Sequence, residues 1–153
     1  GVENIIRIGS CGAYTDALDL YDVLLVSDAW SESTYAKTQS GYDKDYIEAN
    51  PELNTRIEGI AKELNIPLKS GRIHSSDVFY RENFREFEGI RDNHGCMAVE
   101  MESFALFANA KILGKKAACL LTVSDSLVTG ELTTSEERQN AFTRMMEIAL
   151  EMA

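Results

Sequence analysis

The chain has 153 residues, with ordinary hydrophobic (44%) and charged (26%) fractions and a formal net charge of −10; this is one domain's worth of chain, enough to bury a core. Such a charge argues against nucleic acid and anionic membrane as partners, because both repel it, so an anionic substrate must be met by local arginines or backbone N–H donors. No stretch is long and apolar enough for a membrane-spanning helix, and Cys11, Cys96 and Cys119, odd in number and without metal-ligand spacing, read as reduced thiols of a cytoplasmic protein.

In chain order, Asn4–Ile8 reads as a buried strand that ends in a Gly9-Ser10-Cys11-Gly12 loop. It begins almost at once after Gly1, without Met or a leader, as if the chain were cut at a loop inside a larger domain. Val23–Val26 is a second short strand, followed by a polar excursion from Ser31 to Asp45. Asn50-Pro51 fits an N-cap with proline at the first helical position, and Leu53, Ile57, Ile60, Ala61 and Leu64 then recur at helical spacing. Ile66–Ile73 is a return strand entering the polar loop His74-Ser75-Ser76-Asp77. A short charged helix is expected around Asn83–Asn93 and a brief strand at Met97–Val99. A helix follows over Glu102–Leu113, with Gly114 as its C-cap.

Lys116–Val123 is the strongest strand of the chain. The last helix opens near Thr134, where Glu137 is placed to close a capping box; Phe142, Met145, Ala149 and Met152 form its buried stripe. Strands alternating with helices imply one α/β layered domain over residues 1–153, with a largely parallel or mixed sheet. His74 and His94 are the only histidines, which leaves little support for a histidine-rich metal site or a histidine-based triad.

Four segments at predicted strand ends carry chemistry. Arg7-Ile8-Gly9-Ser10-Cys11-Gly12 offers glycines for close approach, hydroxyl and N–H donors, and a guanidinium for phosphate. Ser75-Ser76-Asp77-Val78-Phe79-Tyr80 offers adjacent aromatics as a wall for a flat heterocycle. Val99-Glu100-Met101-Glu102 offers carboxylates for vicinal hydroxyls and an adaptable apolar floor. Thr122–Gln139 places Asp125 at the end of a strand, where open α/β sheets bind ligands, with Arg138 thirteen residues later at a helix start. Taken singly, each has a blander reading: a tight turn, core and rim aromatics, a solvated helix start, a turn aspartate with a solvent-facing arginine. Together they supply a phosphate grip, a base wall, a ribose clamp and an acid.

In this order, the motifs IIRIGSCGA, SSDVFY, VEMES and TVSDSLVTGELTTSEERQNAF resemble those of the bacterial hexameric purine nucleoside phosphorylases, in the nucleoside phosphorylase family. The resemblance extends over essentially the whole chain. It implies a three-layer α/β sandwich around a mixed, partly barrel-like sheet, with an N-terminal part of the domain missing. It also implies phosphorolysis of purine ribo- and deoxyribonucleosides to free base and pentose 1-phosphate, with inorganic phosphate as co-substrate and no cofactor or metal. Arg7 and Ser10 would bind phosphate; Phe79, Val99 and Met101 would line base and sugar; Glu102 would hold ribose hydroxyls with Glu100 beside it. Asp125, supported by Ser124, would protonate purine N7, and Arg138 would assist.

Acid chemistry of this kind calls for a desolvated carboxyl and for an arginine that approaches only when the 126–138 segment closes on bound substrate. The Ser124-Asp125 pair points to purines rather than pyrimidines, which have no N7. The family implies a homo-oligomer, a hexamer built as a trimer of dimers, in which further phosphate ligands come from an N-terminal segment and a neighbouring subunit. Two alternatives stay open: a truncated, non-catalytic nucleoside-binding fragment, and a purine nucleosidase that attacks with water.

Overall fold

Along strand β6 (Lys116–Ser126) the side chains alternate between two cores: Ala117, Cys119, Leu121 and Val123 join one, Ala118 and Leu120 the other. A strand apolar on both faces must be covered on both. In the computed structural model, which describes residues 1–153, helices provide that cover. Helix α4 (Ser103–Leu113) inserts Phe104, Phe107, Ala108 and Ala110 into the first core. Helix α2 (Pro51–Glu63) contributes Leu53, Ile57 and Ala61 to the second, joined there by Met145 and Ile148 of α6 (Thr143–Leu150). The result is three layers with the sheet in the middle.

The other strands are β1 (Asn4–Ala13), β2 (Val23–Trp30), β3 (Tyr46–Glu48), β4 (Leu68–Ser75) and β5 (Cys96–Glu100). Their order is β3-β2-β4-β5-β1-β6, and an additional β2–β6 pairing closes β2, β4, β5, β1 and β6 into a ring. Pairs β1–β6, β2–β4 and β4–β5 are parallel, while β1–β5, β2–β3 and β2–β6 are antiparallel, so the sheet is mixed and barrel-like. The remaining helices are α1 (Tyr35–Ser40), α3 (Glu86–His94) and α5 (Ser135–Ala141). No helix is long and apolar enough to cross a membrane.

Several local expectations are corrected. Asn4–Ile8 is strand, but Ile5 and Ile8 are exposed rather than buried, and His74 and Ser75 belong to β4 rather than to the loop after it. Gly9-Ser10-Cys11-Gly12 is strand, not loop: β6 stays paired alongside, with Gly9 opposite Leu121 and Cys11 opposite Val123, and Cys11 is buried in the core. Tertiary pairing here overrides the turn preference of two glycines. The polar excursion after β2 contains α1 and β3, whose single buried residues, Ala36 and Ile47, are too few to show a period. The last helix is broken at Phe142, which leaves helical geometry and turns its ring into the second core against Tyr21, centroids 6.1 Å apart. Across the break the buried stripe keeps helical spacing through Phe142, Met145 and Met152, with Ile148 in place of Ala149, which is only half-buried.

The helix caps stand where the sequence implies. Asn50 caps α2 by accepting from the N–H of Leu53 at 3.0 Å, with Pro51 at the first position. Thr134 and Glu137 form the reciprocal capping box of α5. Gly114 ends α4 in a left-handed conformation, φ 62°.

Candidate active site

The ends of β1, β5 and β6, with the loop following β4, surround a cavity of about 620 Å³. All ten residues singled out from the sequence line it: Arg7, Ser10, Phe79, Val99, Glu100, Met101, Glu102, Ser124, Asp125 and Arg138. A smaller cavity of about 350 Å³, between β3 and α4, holds none of them.

The position of Asp125 follows from an irregularity in β6. Cys11 pairs with Val123 and Gly12 with Asp125, so Ser124 is an extra residue in the ladder. Such a bulge re-aims the side chains beside it. The Ser124 hydroxyl lies 2.6 Å from Asp125 Oδ1 and 3.3 Å from the carbonyl of Cys11, and donates to one or the other. The opposite face of the carboxyl rests on Gly12. A Cβ at Gly12 would stand 3.0 Å from Asp125 Oδ2 and 2.9 Å from Leu127 Cδ1, so glycine is what lets the acid lie close to β1.

Beyond Asp125 the chain turns back on itself. Asp125 bridges to Leu132, and the N–H of Ser126 donates to the Glu131 carbonyl at 2.9 Å. Thr133 then anchors to the bulge, its N–H and hydroxyl both donating to the Ser124 carbonyl, at 3.0 and 2.6 Å. Arg138 is tied to that anchor: Nε donates to Thr133 Oγ1 and Nη2 to the Thr133 carbonyl, each at 3.1 Å. It makes no ion pair with Asp125. The acid and the cation therefore share one wall, separated by a short tether.

At the opposite end, Arg7 folds over the backbone of Gly9, where any side chain would collide with its guanidinium. It pairs with the Glu102 carboxylate, and its Nε lies 3.6 Å from Glu100 Oε2. Burial alone would lower its pKa; the surrounding negative groups, Glu100 and Glu102 among them, outweigh that and hold it charged. Ser10 is exposed on the same rim.

Glu100 and Glu102 differ sharply. Glu100 is buried and caps α4: its carboxylate accepts from the N–H groups of Glu102 and Ser103 and, at 2.6 Å, from the Ser103 hydroxyl. These are donors that a helix N-terminus leaves free. Glu102 stays mostly exposed and faces Arg7. Only Glu102 keeps lone pairs open to a ligand. Val99, half-buried, and Met101, 40% exposed, supply the apolar floor.

Phe79 and Tyr80 are neither core nor half-core, being 76% and 89% exposed, with rings edge-to-face at 4.9 Å. Together with Phe84 they stand on the loop between β4 and α3. The sequence reading missed Tyr14, Arg81, Phe84, Leu127 and Leu132 as lining residues. Arg81 follows the SSDVFY motif directly, and its charge beside two aromatics was the available signal. The thiols offer no nucleophile: burial pushes Cys119 up to about 12 and raises Cys11 further from the ionised form.

The chain has relatives among known proteins. The family described as the phosphorylase superfamily matches residues 1–153. A DeoD-type purine nucleoside phosphorylase from Alkaliphilus metalliredigens is 42% identical over 154 residues, covering 100% of this chain and 65% of the relative. One from Mycoplasma genitalium is 44% identical over 154 residues, covering 99% of this chain and 64% of the relative. The chain thus spans just under two thirds of the length of these curated relatives. A futalosine hydrolase mutant of Helicobacter pylori strain 26695 superposes with a TM-score of 0.79 over 98% of this chain and 69% of that one, at 20% identity, a likeness of fold alone. With the family matched from end to end and relatives above 40% identity, the chain belongs to the phosphorylase superfamily.

Proposed function

We propose that this chain carries the base and sugar site of a purine nucleoside phosphorylase, which cleaves purine ribo- and deoxyribonucleosides with inorganic phosphate to free base and pentose 1-phosphate. The observation that supports this best is the cavity itself, on which Asp125, Arg138, Glu102, the aromatic Phe79 and Arg7 converge. Its relatives named purine nucleoside phosphorylase support the same substrate class.

Breaking the N-glycosidic bond leaves positive charge on the sugar and negative charge on the purine. Phosphate held by Arg7 and Ser10 stabilises the first and then captures C1′. Asp125 donates a proton to N7 and neutralises the second. Arg138 leaves its Thr133 tether when the 126–138 segment closes, approaches the Asp125 carboxylate as it forms, and so drives the transfer forward. Until then the guanidinium stays on Thr133 and makes no ion pair with the acid. Glu102 accepts from the ribose hydroxyls, while Glu100, spent on the α4 cap, orients the turn that presents Met101 and Glu102. Inorganic phosphate is the only co-substrate in this scheme, which uses no cofactor, and the reading extends to a cytoplasmic homo-oligomer serving purine salvage.

The test is release of free base from inosine and adenosine, with and without phosphate. Release that requires phosphate supports phosphorolysis. Release at the same rate without phosphate assigns a nucleosidase instead, and nucleoside binding without any release assigns a non-catalytic fragment.

A further inference from the structure

A line of polar contacts runs from the core to the aromatic wall and takes no part in the chemistry above. His74, at the end of β4, is fully buried, with Tyr14 Oη 2.8 Å from Nδ1 and Glu32 Oε2 2.7 Å from Nε2. An ionised carboxylate can only accept, so Nε2 carries the proton and Nδ1 accepts from the Tyr14 hydroxyl. The second oxygen of Glu32 pairs with Arg81 Nη2. Arg81 also donates to Ser76 Oγ at 3.0 Å and pairs with Glu86 at 3.1 Å.

The loop over residues 77–85 presents Phe79, Tyr80 and Phe84, all strongly exposed, to the cavity. Its other polar contacts are local: Val78 with Ser76, Arg85 with Asn83 and Glu88. The Arg81–Glu32 pair is the single polar link from this loop to a part of the chain distant in sequence. Two carboxylates and a hydroxyl occupy the Arg81 guanidinium, so it is not free to grip a phosphate. It is placed as a latch.

We propose that Tyr14, His74, Glu32 and Arg81 form a positioning relay that fixes the aromatic loop over the nucleoside base, with Arg81 and Glu32 as positioning residues for nucleoside affinity. The inference rests on the purine nucleoside reading of the cavity. Tyr14, the inner end of the relay, is buried and lines the same cavity directly after β1, so the loop is referenced to the core rather than to solvent. Losing the latch leaves the acid, the ribose clamp and the phosphate site in place, and costs the pre-ordering of the wall.

Two measurements on Arg81→Met and Glu32→Gln test this. Hydrogen exchange over residues 77–85 should quicken about tenfold in both variants, with exchange in β1 and β6 unchanged. The nucleoside KM should rise about tenfold, with kcat and the phosphate KM within about threefold of wild type, and the double variant should be no worse than either single one. Unchanged exchange in the loop, or an unchanged nucleoside KM in an active enzyme, overturns the relay. A wild type that releases no base overturns the phosphorolysis reading instead, and loop exchange then decides the latch by itself.

Discussion

His74 makes stability depend on pH in a calculable way. Burial pushes its imidazole from 6.5 down to about 4, while Glu100 and Glu86 pull the other way and His94 adds to the depression. Above pH 6.5 the ring is neutral in both folded and unfolded chains and contributes no pH dependence. As pH falls below 6.5 the unfolded chain takes up the proton and the folded one resists, so stability is lost down to about pH 4. From pH 7.5 to 5 the loss is about 2 kcal/mol, within a ceiling of about 3 kcal/mol for the whole shift. The Glu32 carboxylate at Nε2 favours the imidazolium and acts against this loss, and Tyr14 at Nδ1 favours the neutral ring. His74→Gln keeps an acceptor for Tyr14 and a donor for Glu32 but does not titrate. Urea unfolding of both proteins at matched ionic strength should show wild type losing about 2 kcal/mol more than the variant between pH 7.5 and 5. Parallel pH profiles would refute the reasoning, because Glu32 would then cancel burial.

The remaining expectations concern the cavity. Asp125→Asn should lower kcat on inosine about a hundredfold or more with a modest change in KM, measured by base release; wild-type turnover would remove the acid assignment. Gly12→Ala should lower kcat about tenfold with little change in thermal stability, because the added methyl pushes on the Asp125 carboxyl and the Leu127 side chain. Arg138→Ala should reduce kcat about tenfold or more and affinity little, read from full saturation curves. Glu102→Ala should raise the nucleoside KM about tenfold, while the phosphate KM does not rise, since Arg7 is released from its partner.

Part of the candidate site was legible because Val99–Glu102 and Ser124-Asp125 sit at strand ends, and the sequence marks strand ends well. An apolar run stopping at Ser124-Asp125, or VEMES running into a helix, can be seen without knowing which strands are neighbours. What could not be seen depends on neighbours. The β2–β6 pairing that closes the ring joins residues about a hundred apart, Val23 with Thr122 and Leu25 with Leu120, and leaves no local trace. The bulge at Ser124 exists only relative to β1, since each strand alone reads as regular. Glu100 and Glu102 look equivalent along the chain and become different only when α4 starts at Ser103 and claims Glu100 as its cap. Phe142 looked like one more residue of a helical stripe; it is buried as that stripe implies, beside Tyr21, but the helix is interrupted at it.

The three arginines of the cavity show how one charge is used in three ways. Arg7 lies against Glu102 and near Glu100, so its charge is largely matched before any ligand arrives. Under the proposed function an incoming phosphate would have to compete with Glu102, and a ribose engaging Glu102 would weaken that competition, coupling sugar binding to phosphate binding. Arg81 is matched by Glu32 and Glu86 and has no charge to lend. Arg138 alone rests on neutral acceptors, the hydroxyl and carbonyl of Thr133. In a chain of net charge −10, a guanidinium held without a carboxylate is the one that gains most by moving towards a newly formed negative charge. The proposed mechanism supplies that charge at Asp125, to whose neighbour Ser124 the Thr133 hydroxyl is already tied. In the proposed mechanism this tether would hold the cation off the Asp125 carboxyl until proton transfer leaves a carboxylate for it to meet.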